Sequence, residues 1–173
     1  MAVLPIRIYP DPVLRQKAKK VNDLDSRTIQ LVQDMFDTLR QASGLGLAAN
    51  QVGVLQRLFV VELSKVNPNG KPLVLINPVL LNKDGQQVGE EGCLSIPGIY
   101  EDIPRFKTVK LSAQDLSGQE FVLDASDLLA RVIQHELDHL NGILFIDHLS
   151  EVARDSLATR LKHLQPLSAK DAY

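Results

Sequence analysis

The chain has 173 residues, 45% of them hydrophobic and 23% charged, with a formal net charge of −2. That length lets one domain bury roughly 70% of its unfolded surface, and the near-neutral balance argues against nucleic acid or an anionic membrane as the main partner. No stretch approaches the ~18 unbroken apolar residues of a membrane span, and Met1-Ala2-Val3-Leu4-Pro5 lacks the basic-then-apolar order of a secretory signal.

Residues 5–25 carry Tyr9-Pro10-Asp11-Pro12 and then a basic run over 15–20. This reads as an extended lead segment with a solvated face. A helix is predicted to start at Ser26 as N-cap. Ile29, Val32, Phe36 and Leu39 form its apolar stripe, and Gly44 ends it.

Residues 54–123 are strand-like. Leu58-Phe59-Val60-Val61 and Leu73-Val74-Leu75-Ile76 are short apolar runs, and Thr108-Val109-Lys110-Leu111 alternates as a half-exposed strand does. Asn69-Gly70, Asp84-Gly85 and Ser117-Gly118 mark turns between such runs, which implies mostly antiparallel pairing. Pro97-Gly98 predicts a further turn.

A second helix is predicted over 125–141, capped by Asp124 or Ser126 and closed by Gly142. A third follows over about 150–164, with Leu157, Leu161 and Leu164 on one side. The tail after Pro166 is polar and reads as frayed. There are no internal repeats or linkers. The expectation is a single α+β domain over 1–173, with mostly antiparallel sheets around a central helix and a C-terminal helix.

The central helix carries His135-Glu136-Leu137-Asp138-His139, an H-E-x-x-H motif. Residues four apart stack on one helical face, so both imidazoles can reach one metal ion with Glu136 beside it. Such a site needs a third ligand, and its position sorts the classes. One class continues H-x-x-G-x-x-H; this chain has Gly142 but Phe145 at the last position, and Gly142 is better explained as a helix cap. Another class takes a downstream carboxylate, for which Glu151, Asp155 and His148 are the nearest groups, none in a distinctive context. The upstream alternative is Cys93, the single cysteine, in Glu90-Glu91-Gly92-Cys93-Leu94-Ser95-Ile96-Pro97-Gly98. It rules out an internal disulfide and suits a reducing compartment. As a thiolate it would complete a Cys/His/His set with a fourth position open for water.

Three segments together resemble the peptide deformylase family. They are Gly44-Leu45-Gly46-Leu47-Ala48-Ala49-Asn50-Gln51-Val52-Gly53, Glu91-Gly92-Cys93-Leu94-Ser95 and Gln134-His135-Glu136-Leu137-Asp138-His139. The similarity runs over about 6–164, and the long C-terminal helix resembles the branch typical of Gram-negative bacteria and organelles. The resemblance implies a hydrolase that removes the formyl group from the formylmethionine of new polypeptides, releasing formate. It assigns Cys93, His135 and His139 to one divalent metal, Fe(II) first, with Zn, Ni or Co as alternatives. It assigns Glu136 to general base and acid work, and the Gln51 amide and Leu94 N–H to the oxyanion. It further implies a Glu91–Arg105 ion pair supporting the cysteine segment.

Leu128 and Val132 share the stripe of His135 and His139, so they either floor a methionine pocket or belong to the ordinary core. Arg131 either lines the pocket mouth or is exposed, the second being favoured. Gly46 would let substrate backbone approach. Asp138 reads as a solvent-facing carboxylate more than a ligand-orienting one, and His148 and His163 as structural or exposed. A cytoplasmic bacterial protein is expected, or an organellar one after removal of a transit peptide. It would meet nascent chains, with the ribosome a further partner and no direct nucleic-acid or membrane binding. A peptidase with a downstream ligand and a structural metal site remain the competing readings.

Overall fold

The computed structural model describes residues 2–64 and 69–164; the polar tail after Pro166 lies outside the described residues. The lead segment is not extended throughout: Pro12–Arg15 form a 3-10 turn, which the Asp11 carboxylate caps by accepting the Val13 N–H, and the segment is tied to the body of the fold. The backbone N–H groups of Arg7, Tyr9, Ala18 and Lys19 donate to the carbonyls of Gln51, Ser95, Leu140 and Leu55.

Helix α1 (Ser26–Gln41) begins one residue earlier than the Ser26 cap predicted. Asp25 is the N-cap, extended at its own φ/ψ, and its carboxylate accepts the Thr28 N–H at 2.9 Å. The apolar stripe is also rotated from the expected one. Val32, Met35 and Leu39 are buried, Phe36 is half-buried and Ile29 is exposed. Gly44 is not the left-handed terminator. Ser43 takes that conformation at φ 56°, while the Ser43 and Gly44 N–H groups return to the Arg40 and Leu39 carbonyls.

Five strands form one antiparallel sheet in the order β1-β2-β3-β6-β7: β1 (Gly46–Ala48), β2 (Leu58–Val61), β3 (Leu73–Asp84), β6 (Thr108–Gln114) and β7 (Glu120–Ser126). Strand β3 continues well past Ile76, because its exposed outer half pairs with β6 as far as Asp84↔Thr108. Gly85, at φ +63°, then takes the chain out of this sheet into a separate hairpin of β4 (Gln87–Cys93) and β5 (Ile96–Arg105). The hairpin turns at Leu94-Ser95, since Cys93 pairs with Ile96; Pro97-Gly98, predicted as the turn, lie inside β5.

Helix α2 (Asp127–Leu140) fills the space between sheet and hairpin, and ten of its fourteen residues are buried. Ala130, Ile133, Leu137 and Leu140 pack on Phe59, Val61, Leu75 and Leu111 of the sheet. Helix α1 covers other residues of the sheet through Val32, Met35 and Leu39 with Leu58, Val60 and Ile76. Gly142 closes α2 as predicted. It sits at φ +73°, and a Cβ there would collide with the Arg15 carbonyl. Helix α3 (Glu151–Lys162) is capped by the Ser150 hydroxyl, and Leu157 and Leu161 bury against Ile96, Ile99 and Ile103 of the hairpin and Phe145. The fold is α+β, with antiparallel sheets and three α-helices among the described residues. None of the described helices is long and apolar enough to cross a membrane.

Candidate functional site

Two elements bring the site together. On α2, the four-residue spacing puts His135 and His139 one above the other, with their Nε2 atoms 3.2 Å apart. On β4, alternation places Glu91 and Cys93 on one face, turned towards the helix. Cys93 Sγ lies 3.2 Å from His139 Nε2. The sulfur and two ring nitrogens all fall within 4.8 Å of one another.

The surroundings set the protonation of these groups. Burial would raise the Glu91 carboxyl, but hydrogen bonds from His135 and Arg105 outweigh it and hold the carboxyl at about 2. An ionised Glu91 Oε2, 2.9 Å from His135 Nδ1, makes that nitrogen the donor. In the neutral ring the His135 Nε2 lone pair is then left facing Cys93 and His139. Without an ion, the two histidines respond in opposite ways. Burial opposes charge on His135, yet Cys93 and Glu91 hold its pKa well above the ordinary value. Burial, and then the charge of His135, push His139 well below it. A sulfur and two ring nitrogens that converge this closely suit one divalent cation, with a fourth position left for water.

Glu136 lies beside this cluster and is only 3% exposed. Burial pushes its carboxyl up to about 7. Its Oε1 occupies the space that a Cβ on Gly46 would fill, and its Oε2 has no hydrogen-bond partner among the described residues. Gln51 comes from the short 3-10 turn after β1. Its Oε1 accepts the Ala48 N–H at 2.9 Å, which turns Nε2 towards Ser95 Oγ at 3.2 Å and Cys93 Sγ at 3.5 Å.

A cavity of about 400 Å³ opens onto the cluster, lined by Gly46, Gln51, Leu94, Leu128, Arg131, Val132 and Glu136, together with Cys93 and His135. Leu128 is 40% exposed and faces this space, which separates it from the core; Val132 is 7% exposed and joins both. Arg131 is not the exposed residue favoured above. It is buried, with Nη1 2.9 Å from Glu91 Oε1. Asp138 does not face solvent alone either: its Oδ2 is 2.6 Å from Arg105 Nη1 and 2.7 Å from His148 Nε2. Arg105 also grips Glu91 through Nε at 2.8 Å and Nη2 at 3.0 Å, the ion pair the resemblance implies. His163 is exposed.

Of the alternative third ligands, His148 is engaged by Asp138, and Glu151 and Asp155 are exposed on α3; only Cys93, His135 and His139 cluster with metal-ligand spacing among the described residues. Phe145, in the position where another class has histidine, is buried with its ring stacked 6.2 Å from that of His135. Two residues at the site carry no separate signal in the sequence reading. Ser95 is fully buried against Gln51, and the Tyr100 ring lies over Gly92, its partner across the hairpin. The glycine at that rung was the available clue to a close approach.

Comparison with known proteins points the same way. The family model described as polypeptide deformylase matches residues 3–155. A peptide deformylase of Acidobacterium capsulatum is 46% identical over 166 residues, covering 95% of this chain and 97% of that protein. The crystal structure of a peptide deformylase from Legionella pneumophila superposes with a TM-score of 0.88 at 40% identity, covering 93% of this chain and 94% of that one. That of Synechococcus elongatus, in complex with actinonin, gives 0.86 at 40% identity, covering 95% and 92%. Matched in sequence and in structure along almost its whole length, the chain belongs to the peptide deformylase family and is an enzyme of that kind.

Proposed function

We propose that this enzyme hydrolyses the formyl amide of N-formylmethionyl polypeptides as they are synthesised, releasing formate, with residues 1–173 acting as one catalytic unit. The observation that carries the reading is Glu136. It is a buried carboxylate, raised to about 7, with one oxygen that has no partner among the described residues, beside a Cys/His/His cluster at the floor of a cavity.

Cys93, His135 and His139 would hold one divalent ion, Fe(II) in the cell, with Zn, Ni or Co able to replace it in preparations. When bound, the ion supplies Lewis acidity, which polarises a carbonyl and lowers the pKa of water. Glu136 takes a proton from the attacking water and passes it to the departing amine, a double duty best served by a pKa close to the working pH. The Gln51 amide, turned towards the site by Ala48, and the Leu94 N–H donate to the oxygen that gains charge. Gly46 leaves room for Glu136 and for the substrate main chain. Leu128 and Val132 receive the methionine side chain, while Arg131 backs the wall and Glu91 with Arg105 orients His135.

The bacterial cytoplasm suits the lone thiol and the bacterial relatives, and the ribosome is where such substrates would be met. The deciding experiment is formate release from a formyl-Met peptide by anaerobically purified protein, with metal analysis of the same sample. Activity should vanish in Glu136→Ala with metal retained, and in Cys93→Ala with metal lost. Intact hydrolysis by metal-loaded Glu136→Ala would overturn the mechanism.

A further inference from the structure

The Glu91 carboxylate is saturated with donors. Oε1 accepts from Arg105 Nε at 2.8 Å and Arg131 Nη1 at 2.9 Å, and Oε2 from Arg105 Nη2 at 3.0 Å and His135 Nδ1 at 2.9 Å. Arg131 and His135 are one turn apart on α2, so a single helical turn grips both oxygens. The same Arg131 nitrogen also donates to the carbonyls of Gly89 at 3.1 Å and Ile103 at 2.8 Å. Gly89 and Ile103 are directly opposed in the register of β4 and β5. One nitrogen therefore ties both strands of the hairpin, at one rung, to the helix that carries the histidines.

Gly89 leaves room for this, because a Cβ there would stand a tight 3.2 Å from Arg131 Nη2. Burying a guanidinium is costly unless its charge and donors are matched. Here Glu91 supplies the opposing charge and accepts from Nη1, and the Gly89 and Ile103 carbonyls accept from the same nitrogen. An apolar side chain of the same length would fill the space without that desolvation cost, but it could not fix a carboxylate.

We propose that Arg131 is a positioning residue: it sets the Glu91 carboxylate that orients His135, and through the same nitrogen it sets the hairpin wall of the cavity. The inference rests on reading Cys93, His135 and His139 as a metal centre. It makes the stiffness of the substrate wall and the geometry of one ligand two outputs of a single side chain.

The test uses the full chain loaded with cobalt(II), comparing wild type, Arg131→Met and Arg131→Lys. Four quantities are read: the rate of metal release to a chelator, the visible absorption of the bound cobalt, and kcat and KM for a formyl-Met peptide. Arg131→Met should release metal about tenfold faster or more, shift the cobalt band and raise KM. Arg131→Lys, which keeps a cationic donor, should fall between it and wild type. Wild-type release and an unchanged cobalt band in folded Arg131→Met, whatever its activity, would overturn the proposal. If that variant does not fold, Arg131→Gln is read in the same way, and unchanged metal release there would overturn it equally. The metal readouts need no formyl substrate, so failure of wild-type protein to release formate would count separately, against the deformylase reading.

Discussion

The Glu136 carboxylate stands where the Cβ of any residue but glycine would stand at Gly46, with Glu136 Cγ and Cδ both 2.9 Å from that point. The acid is thus held against the main chain of strand β1 on one side, with the cavity on the other. Gly46→Ala should displace the carboxylate while leaving Cys93, His135 and His139 alone. The expected outcome is a fall in kcat of about a hundredfold, the lower range for losing a well-placed general base, with a full complement of metal. Steady-state kinetics with metal analysis checks it; a metal-replete Gly46→Ala enzyme of normal kcat would refute the argument.

Gly142 makes a prediction about stability rather than chemistry. At φ +73° an alanine costs about 1–2 kcal/mol in backbone conformation alone, and its Cβ would also run into the Arg15 carbonyl. Gly142→Ala should therefore lower the melting temperature by about 4 °C or more, taking roughly 2–4 °C per kcal/mol at this chain length. Differential scanning calorimetry would show it, and an unchanged melting temperature would refute both the backbone strain and the clash with Arg15.

These two glycines show what was legible in the sequence. Gly142 was readable because helix termination is local: the stripe stops, a glycine follows, and the same backbone bonds result wherever the helix packs. The H-E-x-x-H face was readable for the same reason. Arg131 and Asp138 were misread because spacing along α2 says which residues share a face but not what covers it. The cover is the β4–β5 hairpin, which supplies Glu91 and Arg105 from 40 and 33 residues away in sequence. Strand β3 was cut short for a related reason, since Asn82, Lys83 and Asp84 look like loop until β6 is there to pair with them. Asp25 and Ser26 are both good caps, and one residue of phase decided between them.

Asp147 offers a pH-dependent test away from the metal centre. Burial would raise its pKa, but Arg15, through a bidentate contact, and the Leu144 N–H at 2.9 Å hold it below the ordinary value. A carboxylate with a depressed folded pKa stabilises the fold above its unfolded pKa, and that contribution is lost as pH falls through the folded one. Wild type should thus be more stable than Asp147→Asn at pH 7, by about 1 kcal/mol for a pair that is partly exposed. The gap should close as pH drops below about 4, near the unfolded carboxylate value. Urea unfolding of both proteins from pH 3 to 7 measures it. A difference that stays constant with pH would assign the effect to packing instead.

Leu128 distinguishes the cavity wall from the core. It is 40% exposed and faces the cavity, whereas Val132 is 7% exposed and belongs also to the cluster beneath the sheet. Removing a side chain that is already hydrated in the free enzyme costs little stability, usually within about 0.5 kcal/mol. Its loss is felt only when an apolar substrate group covers it, at about 0.8 kcal/mol for each methylene-sized contact removed. Leu128→Ala should keep the wild-type unfolding midpoint yet raise KM for a formyl-Met peptide about tenfold, and much less for a formyl-Gly peptide with no side chain to bury. Val132→Ala should lower both stability and affinity. If Leu128→Ala instead lost stability and kept its preference for methionine, the methionine pocket would have to lie elsewhere in the cavity, and the Tyr100 side of the hairpin would be the place to look.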